Sequence, residues 1–330
     1  MIANKFKKGS TIRVCSPARN LSIITPESRK IANDAFERLG LNVTFSKNAE
    51  ETGMFRTSSV KTRVTDLHDA FKDKSVDGIL TTIGGFSSNN LLQYLDYKLI
   101  KKNPKILCGY SDITALTNAI YAKTGLVTYS GPHYATFAMK KGNEYSAEYF
   151  KKCLFDKKPF DLETSEYWSD DKWWIDQEKR DFIKNEGYKI IQEGNSKAKG
   201  AIIGGNLCTF ILLHGTEYMP KLKNSILFLE DDEAFGNIFD VMFDRHLQSI
   251  LQQKDANKIR AIVIGKPKKI IDFKEDKIRH IISTKKELEG IPVISNATFG
   301  HAYPICTFPI GGKASVSIED GKAKIKILEH

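Results

Sequence analysis

Ser111, Glu230 and His301 are the residues whose types and settings could do chemistry together. Ser111 lies in Lys105–Ala122, KILCGYSDITALTNAIYA. The apolar run Ile106–Cys108 reads as a buried strand, Gly109-Tyr110 as a sharp turn, and Asp112 opens a segment of helical periodicity. A hydroxyl at that turn has backbone N–H groups and the positive end of a helix beside it, the parts needed to hold an acyl-transfer oxyanion. The plainer use of Ser111 or Asp112 is as a helix N-cap. A serine nucleophile also needs a base, and the base needs an orienting group. Of the seven histidines, His68, His246 and His280 fall in helical patterns, His214 closes a helix and His330 is the last residue. His301 and His133 follow strand ends beside Gly or Pro, so both remain candidates for the base. Glu230 directly ends the apolar strand Ile226–Leu229, where an acid can be partly buried against an imidazole, whereas Asp231, Asp232 and Glu233 read as solvated or helix-N-terminal. The order Ser, acid, His is that of one class of hydrolases, although Ile113 replaces the trailing glycine of the α/β-hydrolase elbow.

The elements that must position these residues alternate strand and helix through the N-terminal half. Strands are expected at Thr11–Cys15, Leu41–Phe45, Gly78–Ile83, Ile106–Cys108 and Leu126–Tyr129, with helices at Pro26–Leu39, Val60–Phe71, Asn89–Leu95, Asp112 onward and Ala147–Leu154. Such alternation gives a parallel sheet with helices on both faces, a three-layer α/β domain whose site lies beyond the carboxyl ends of the strands. Gly84-Gly85 sits at one such end. The run GGFSSN does not fit the dinucleotide pattern GxGxxG, but its glycines let backbone amides approach a ligand. Around Phe160–Lys199 the texture changes: DLETSEYWSDDKWWIDQEKRDF carries Trp168, Trp173 and Trp174 among charges. We read a connection between domains, whose tryptophans either anchor it or offer a flat face to a ring-bearing ligand. Beyond it lie the Gly204-Gly205-Asn206 turn, strands at Ile226–Leu229, Ala261–Ile264 and Pro292–Ser295, and a terminal hairpin around Asp320-Gly321. Asn206 is either a ligand hydrogen-bonder or a turn residue. The expected division is 1–160, 161–199 and 200–330.

The 330 residues favour two domains. Five widely spaced cysteines without a CxxC pair argue against a disulfide scaffold or zinc site. The net charge of +10 comes from scattered lysine pairs without interleaved aromatics, which fits a solvated basic surface rather than a nucleic-acid track. Met1–Ala18 shows no uninterrupted apolar run of a secretory leader, and no stretch approaches membrane-spanning length. A cytoplasmic protein without membrane or nucleic-acid partners is expected.

Taken together, IGGFSSNNLL (Ile83–Leu92), GYSDIT (Gly109–Thr114), GGNL (Gly204–Leu207), LFLED (Leu227–Asp231) and GHAYP (Gly300–Pro304), with CSPA (Cys15–Ala18) and SGP (Ser130–Pro132), resemble the LD-carboxypeptidase family of serine peptidases. YWSDDKWWIDQ (Tyr167–Gln177) resembles the branch that contains the microcin C immunity proteins. The resemblance implies a Ser111–Glu230–His301 triad, with the amides of Gly85 and Asp112 as oxyanion hole. It also implies a β-rich C-terminal α/β domain supplying Glu230 and His301, no metal or organic cofactor, and a homodimer. For the immunity branch it implies cleavage of the amide joining an aspartyl residue to an adenylate, with Trp173 or Trp174 stacked on the base and Asn206 near the ligand. The basic residue expected soon after Glu230 to meet a phosphate is missing from DDEAFGN. The alternatives are a cytoplasmic murein LD-carboxypeptidase releasing terminal D-alanine and a non-catalytic nucleotide-binding protein.

Overall fold

In the computed structural model, which describes residues 1–194 and 197–330, the N-terminal half is built on a six-stranded sheet. Strands β1 (Thr11–Cys15), β2 (Asn42–Phe45), β3 (Gly78–Thr81), β4 (Ile106–Cys108) and β5 (Thr128–Ser130) run parallel in the order β5-β4-β3-β1-β2. Their connections include helices α1 (Pro26–Arg38), α2 (Val60–Lys72), α3 (Tyr97–Lys102) and α4 (Thr114–Thr124), and α5 (Glu144–Leu154) follows β5. Local signals set several boundaries: Thr25 Oγ1 accepts the Ser28 N–H at the start of α1, and Pro26 fills its first position. The stretch expected as a helix over Asn89–Leu95 is instead a 3₁₀ segment, Ser88–Tyr94.

The C-terminal half forms an eight-stranded sheet. Its strands are β6 (Phe160–Asp161), β9 (Lys189–Gln192), β10 (Lys197–Asn206), β11 (Ser225–Glu230), β12 (Ala261–Gly265), β13 (Val293–Ala297), β15 (Lys313–Glu319) and β16 (Lys322–Glu329), in the order β6-β16-β15-β10-β11-β12-β13-β9. β10 to β13 are parallel and fully apolar at their centres; the outer strands pair antiparallel. Helices α6 (Leu207–Phe210), α7 (Phe239–Leu251) and α8 (Glu275–Ser283) complete this half. Between β15 and β16, Asp320 and Gly321 both take positive φ, the backbone of the expected primed turn.

The chain crosses the expected boundaries. Strand β14 (Phe308–Ile310), far down the sequence, closes the first sheet antiparallel to β5. Within the connection, β6 and β9 join the second sheet, leaving a hairpin of β7 (Tyr167–Trp168) and β8 (Ile183–Lys184) with its loop. Strands this short, one of them holding Pro309, carry too little period-2 pattern to be read from sequence. Residues 195 and 196 of the connection lie outside the described residues. A single apolar cluster runs through both halves, joining Leu116 and Ala119 of α4 to Leu207 and Phe210 of α6. Among the described residues no helix is long and apolar enough to cross a membrane.

Candidate active site

Ser111 follows β4 with φ of 59°, a left-handed conformation that a side chain adopts only when the surroundings impose it. They do so here through glycines. A Cβ on Gly109 would lie 2.2 Å from Thr81 Oγ1, and one on Gly84 would lie 2.9 Å from Ser111 Cβ. The serine is thereby pressed against the end of neighbouring β3, with its hydroxyl at the edge of the sheet.

Glu230 ends β11, buried in a slot whose walls are also glycine. A Cβ on Gly265 would come within 2.9 Å of Glu230 Cβ, and one on Gly300 within 2.9 Å of Glu230 Oε2. His301, next in the chain, places Nδ1 2.7 Å from Glu230 Oε2 and Nε2 3.1 Å from Ser111 Oγ. Since a carboxylate only accepts, Nδ1 carries the proton, and in the neutral ring Nε2 accepts from the Ser111 hydroxyl. Burial alone would lower the His301 pKa. The Glu230 charge and hydrogen bond, with Asp232 Oδ2 3.9 Å from Nε2, outweigh it and raise the pKa to about 9.

His133, the other candidate base, is also buried close by, but its Nδ1 lies 2.7 Å from Thr81 Oγ1 and its Nε2 has no hydrogen-bond partner among the described residues. Burial, with the His301 charge, holds its pKa well below the ordinary value, so it is neutral at working pH. Its ring lies against Tyr110, 4.3 Å between centroids, and Tyr110 Oη is 3.2 Å from Tyr303 Oη.

Serine and base come from different halves, and α4 holds the halves in register. Asn118 Nδ2 donates to the Gly204 carbonyl at 2.8 Å while its Oδ1 accepts the Gly204 N–H at 3.1 Å. Thr114 Oγ1 accepts the Asn206 N–H at 3.0 Å. The approach needs Gly205, at φ of 123°, because a Cβ there would lie 2.6 Å from Thr114 Oγ1. Since β10 pairs with β11, whose last residue is Glu230, this latch fixes Ser111 relative to the acid. Thr114 and Asn118 escaped the sequence reading; the paired glycines were the available signal. Asn206 itself is buried and caps α6, its Oδ1 accepting from the Thr209 N–H and hydroxyl and its Nδ2 donating to Asp231.

The three tryptophans separate by environment. Trp168 lies under Lys266, whose Nζ is 4.4 Å from the ring centroid. Trp173 is buried edge-on to Tyr303 with its indole N–H unpartnered, whereas Trp174 is 55% exposed. Ser169 and Tyr303 exchange backbone hydrogen bonds of 2.7 and 2.8 Å, tying the hairpin to the chain just after His301. Between hairpin and catalytic loop lies a cavity of about 380 Å³ lined by Asp170, Lys172, Glu233, Lys268, Lys269 and Ile270. Lys268 Nζ is 2.7 Å from Glu233. Lysines therefore reach this cavity from the loop following β12.

Residues 12–131 match the LD-carboxypeptidase N-terminal domain and residues 199–316 the LD-carboxypeptidase C-terminal domain. YocD of Bacillus subtilis is 52% identical over 330 residues, covering 100% of both chains. The microcin C7 self-immunity protein MccF of Escherichia coli is 30% identical over 338 residues, with 98% of this chain and 95% of that protein covered. Among solved structures, an MccF-like protein from Bacillus anthracis superposes with a TM-score of 0.98 at 54% identity over 100% of both chains. MccF in complex with aspartyl sulfamoyl adenosine superposes with a TM-score of 0.88 at 29% identity, over 100% of this chain and 99% of that one. Matched by both domains and along its whole length by these relatives, the chain belongs to the LD-carboxypeptidase family and is an enzyme of the serine carboxypeptidase type.

Proposed function

We propose that the enzyme hydrolyses the amide bond of aminoacyl- or peptidyl-nucleotides of the microcin C type, detoxifying them in the cytoplasm. Its strongest support is the hydrogen-bonded line from Ser111 through His301 to Glu230. His301 Nε2 takes the hydroxyl proton as Ser111 Oγ bonds to the amide carbon, and the oxyanion lies against the Gly85 and Asp112 amides. The same Nε2–H then protonates the leaving nitrogen as the C–N bond breaks. Water, deprotonated by His301, hydrolyses the ester and restores the serine. Glu230 keeps the ring oriented and stabilises the imidazolium in both steps.

Trp174, exposed on the hairpin, is the indole we assign to the nucleobase, with Trp173 as its buried prop. Lys172, Lys268 and Lys269 of the cavity suit the negative charge of a phosphoryl linkage, and MccF was solved with aspartyl sulfamoyl adenosine. Those same lysines suit the terminal carboxylate of a murein tetrapeptide, which is the second reading. Hydrolysis of aspartyl sulfamoyl adenosine and of a murein tetrapeptide, measured side by side, separates the two. Preference for the nucleoside, weakened selectively by Trp174→Ala, supports the first; release of D-alanine as the faster reaction overturns it.

A further inference from the structure

Taking the Gly85 and Asp112 amides as the oxyanion hole, as proposed above, the two donors come from different strand ends and something must hold them together. Gly85 belongs to the loop after β3, Asp112 to the turn after β4. Beyond Ile83, which packs on the core, the loop has little to fix it by itself: Gly84 and Gly85 carry no side chain and Phe86 is 81% exposed. Polar groups surround it instead. Asp112 opens a helical turn, yet its carboxylate crosses to the other loop, where Oδ2 accepts the Ser87 N–H at 3.0 Å and the Ser88 N–H at 2.9 Å. Ser88 Oγ answers by donating to the Asp112 carbonyl at 2.5 Å. Arg63 Nη1 donates to the Ser87 carbonyl and hydroxyl, both at 3.1 Å, and to the Pro17 carbonyl at 2.8 Å. At the other end of the loop, the backbone N–H and Nε–H of Arg19 donate to the Gly84 carbonyl at 3.3 and 3.2 Å.

A trans peptide points its C=O and N–H to opposite sides. Arg19, by holding the Gly84 carbonyl, therefore sets the direction of the Gly85 N–H; were this peptide to flip, a carbonyl dipole would replace a donor. We propose that Asp112, through its side chain, and Arg19 are positioning residues that clamp the Gly84–Ser88 loop to the nucleophile turn and so preorganise the oxyanion hole, with Arg63 as the cation behind the clamp. A buried carboxylate is costly unless its oxygens are satisfied. Asp112 is buried, and its Oδ2 accepts from two N–H groups of the neighbouring loop, a task beyond capping its own turn.

The test uses kcat and KM on aspartyl sulfamoyl adenosine, the Kd of a boronic acid bearing the aspartyl side chain, and the melting temperature. Loss of the clamp by Asp112→Ala should lower kcat about 10²-fold and weaken the boronate by a similar factor, with KM within about twofold. Asp112→Asn, which keeps an acceptor oxygen, should recover most of that loss. Arg19→Met and Ser88→Ala, each removing one anchor, should lower kcat and boronate affinity together by about tenfold, and they carry the test if Asp112→Ala does not fold. Unchanged kcat in these variants, or a fall in kcat with boronate affinity intact, overturns the clamp. Ser111→Ala keeps the two ideas apart: turnover surviving there sinks the hydrolase itself, whereas a dead Ser111→Ala beside a normal Asp112→Ala sinks only the clamp.

Discussion

The seam that brings Ser111, Glu230 and His301 together and the hairpin that carries Trp173 and Trp174 are built by opposite means. At the seam, glycines let backbones and buried side chains meet: Gly204 against β11, Gly205 against α4, Gly265 and Gly300 around Glu230, Gly84 against the serine. Nearly every polar group there has a fixed partner. The hairpin loop rests on surface charge, with Lys140 and Lys141 on Glu178, and on a few deeper ties such as the Arg180 Nε donating to Asp171 at 2.8 Å. Exposed ion pairs contribute little, whereas buried, fully paired backbone contacts define one geometry. The proposed triad therefore sits on the more densely tied part of the molecule, and the tryptophans proposed to select substrate on the part held more by surface charge.

The most severe break in the seam is Ser111→Ala, expected to lower kcat about 10⁴- to 10⁶-fold with the melting temperature unchanged; a loss under tenfold would remove Ser111 from the chemistry. Next comes the latch. Asn118→Ala strands both backbone groups of Gly204, which should destabilise the fold by about 2–4 kcal/mol and lower turnover with it. Its counterpart on the hairpin, Glu178→Gln, should leave both melting temperature and kcat where they were. Equal effects would erase the contrast.

The acid–base setting gives a third expectation. In the proposed mechanism His301 serves as a base only when neutral; with its pKa raised to about 9, kcat/KM should climb with pH up to about 9. Asp232→Asn removes one of the charges that hold the proton and should move this rise to lower pH. The raised pKa also makes the protonated ring a stabilising element at low pH. That contribution is fully present below the unfolded-state value near 6.5 and is lost as pH rises through about 9. A pH profile indifferent to Asp232 would mean that Glu230 alone sets the base. The smallest effect belongs to the hairpin: Trp174→Ala should weaken nucleotide substrates about tenfold and spare peptides.

Much of the seam was legible in sequence because strand ends and glycines are local signals. The strand-ending Glu230, the Gly-flanked His301 and the turn at Ser111 each follow from a few consecutive residues. What stayed hidden depends on distant partners. Nothing within KWWID distinguishes Trp173 from Trp174; Tyr303 buries the first. Asp112 reads as a cap until the loop at Ser87 and Ser88 is placed beside it. Lys268 lies 35 residues beyond Glu233 and meets it at the same cavity because β11 and β12 are neighbours.

The antiparallel strand β14 bears on how the protein is made. Residues 308–310 complete a sheet whose other strands lie at 11–130, and they follow His301 in the chain. During synthesis the nucleophile half is translated first, with the edge of β5 still unpaired, and that edge is closed only after the base has been added. Thus the last strand to join the first sheet arrives after Ser111, Glu230 and His301, and assembly of the proposed site and closure of its supporting sheet belong to the final stage of folding.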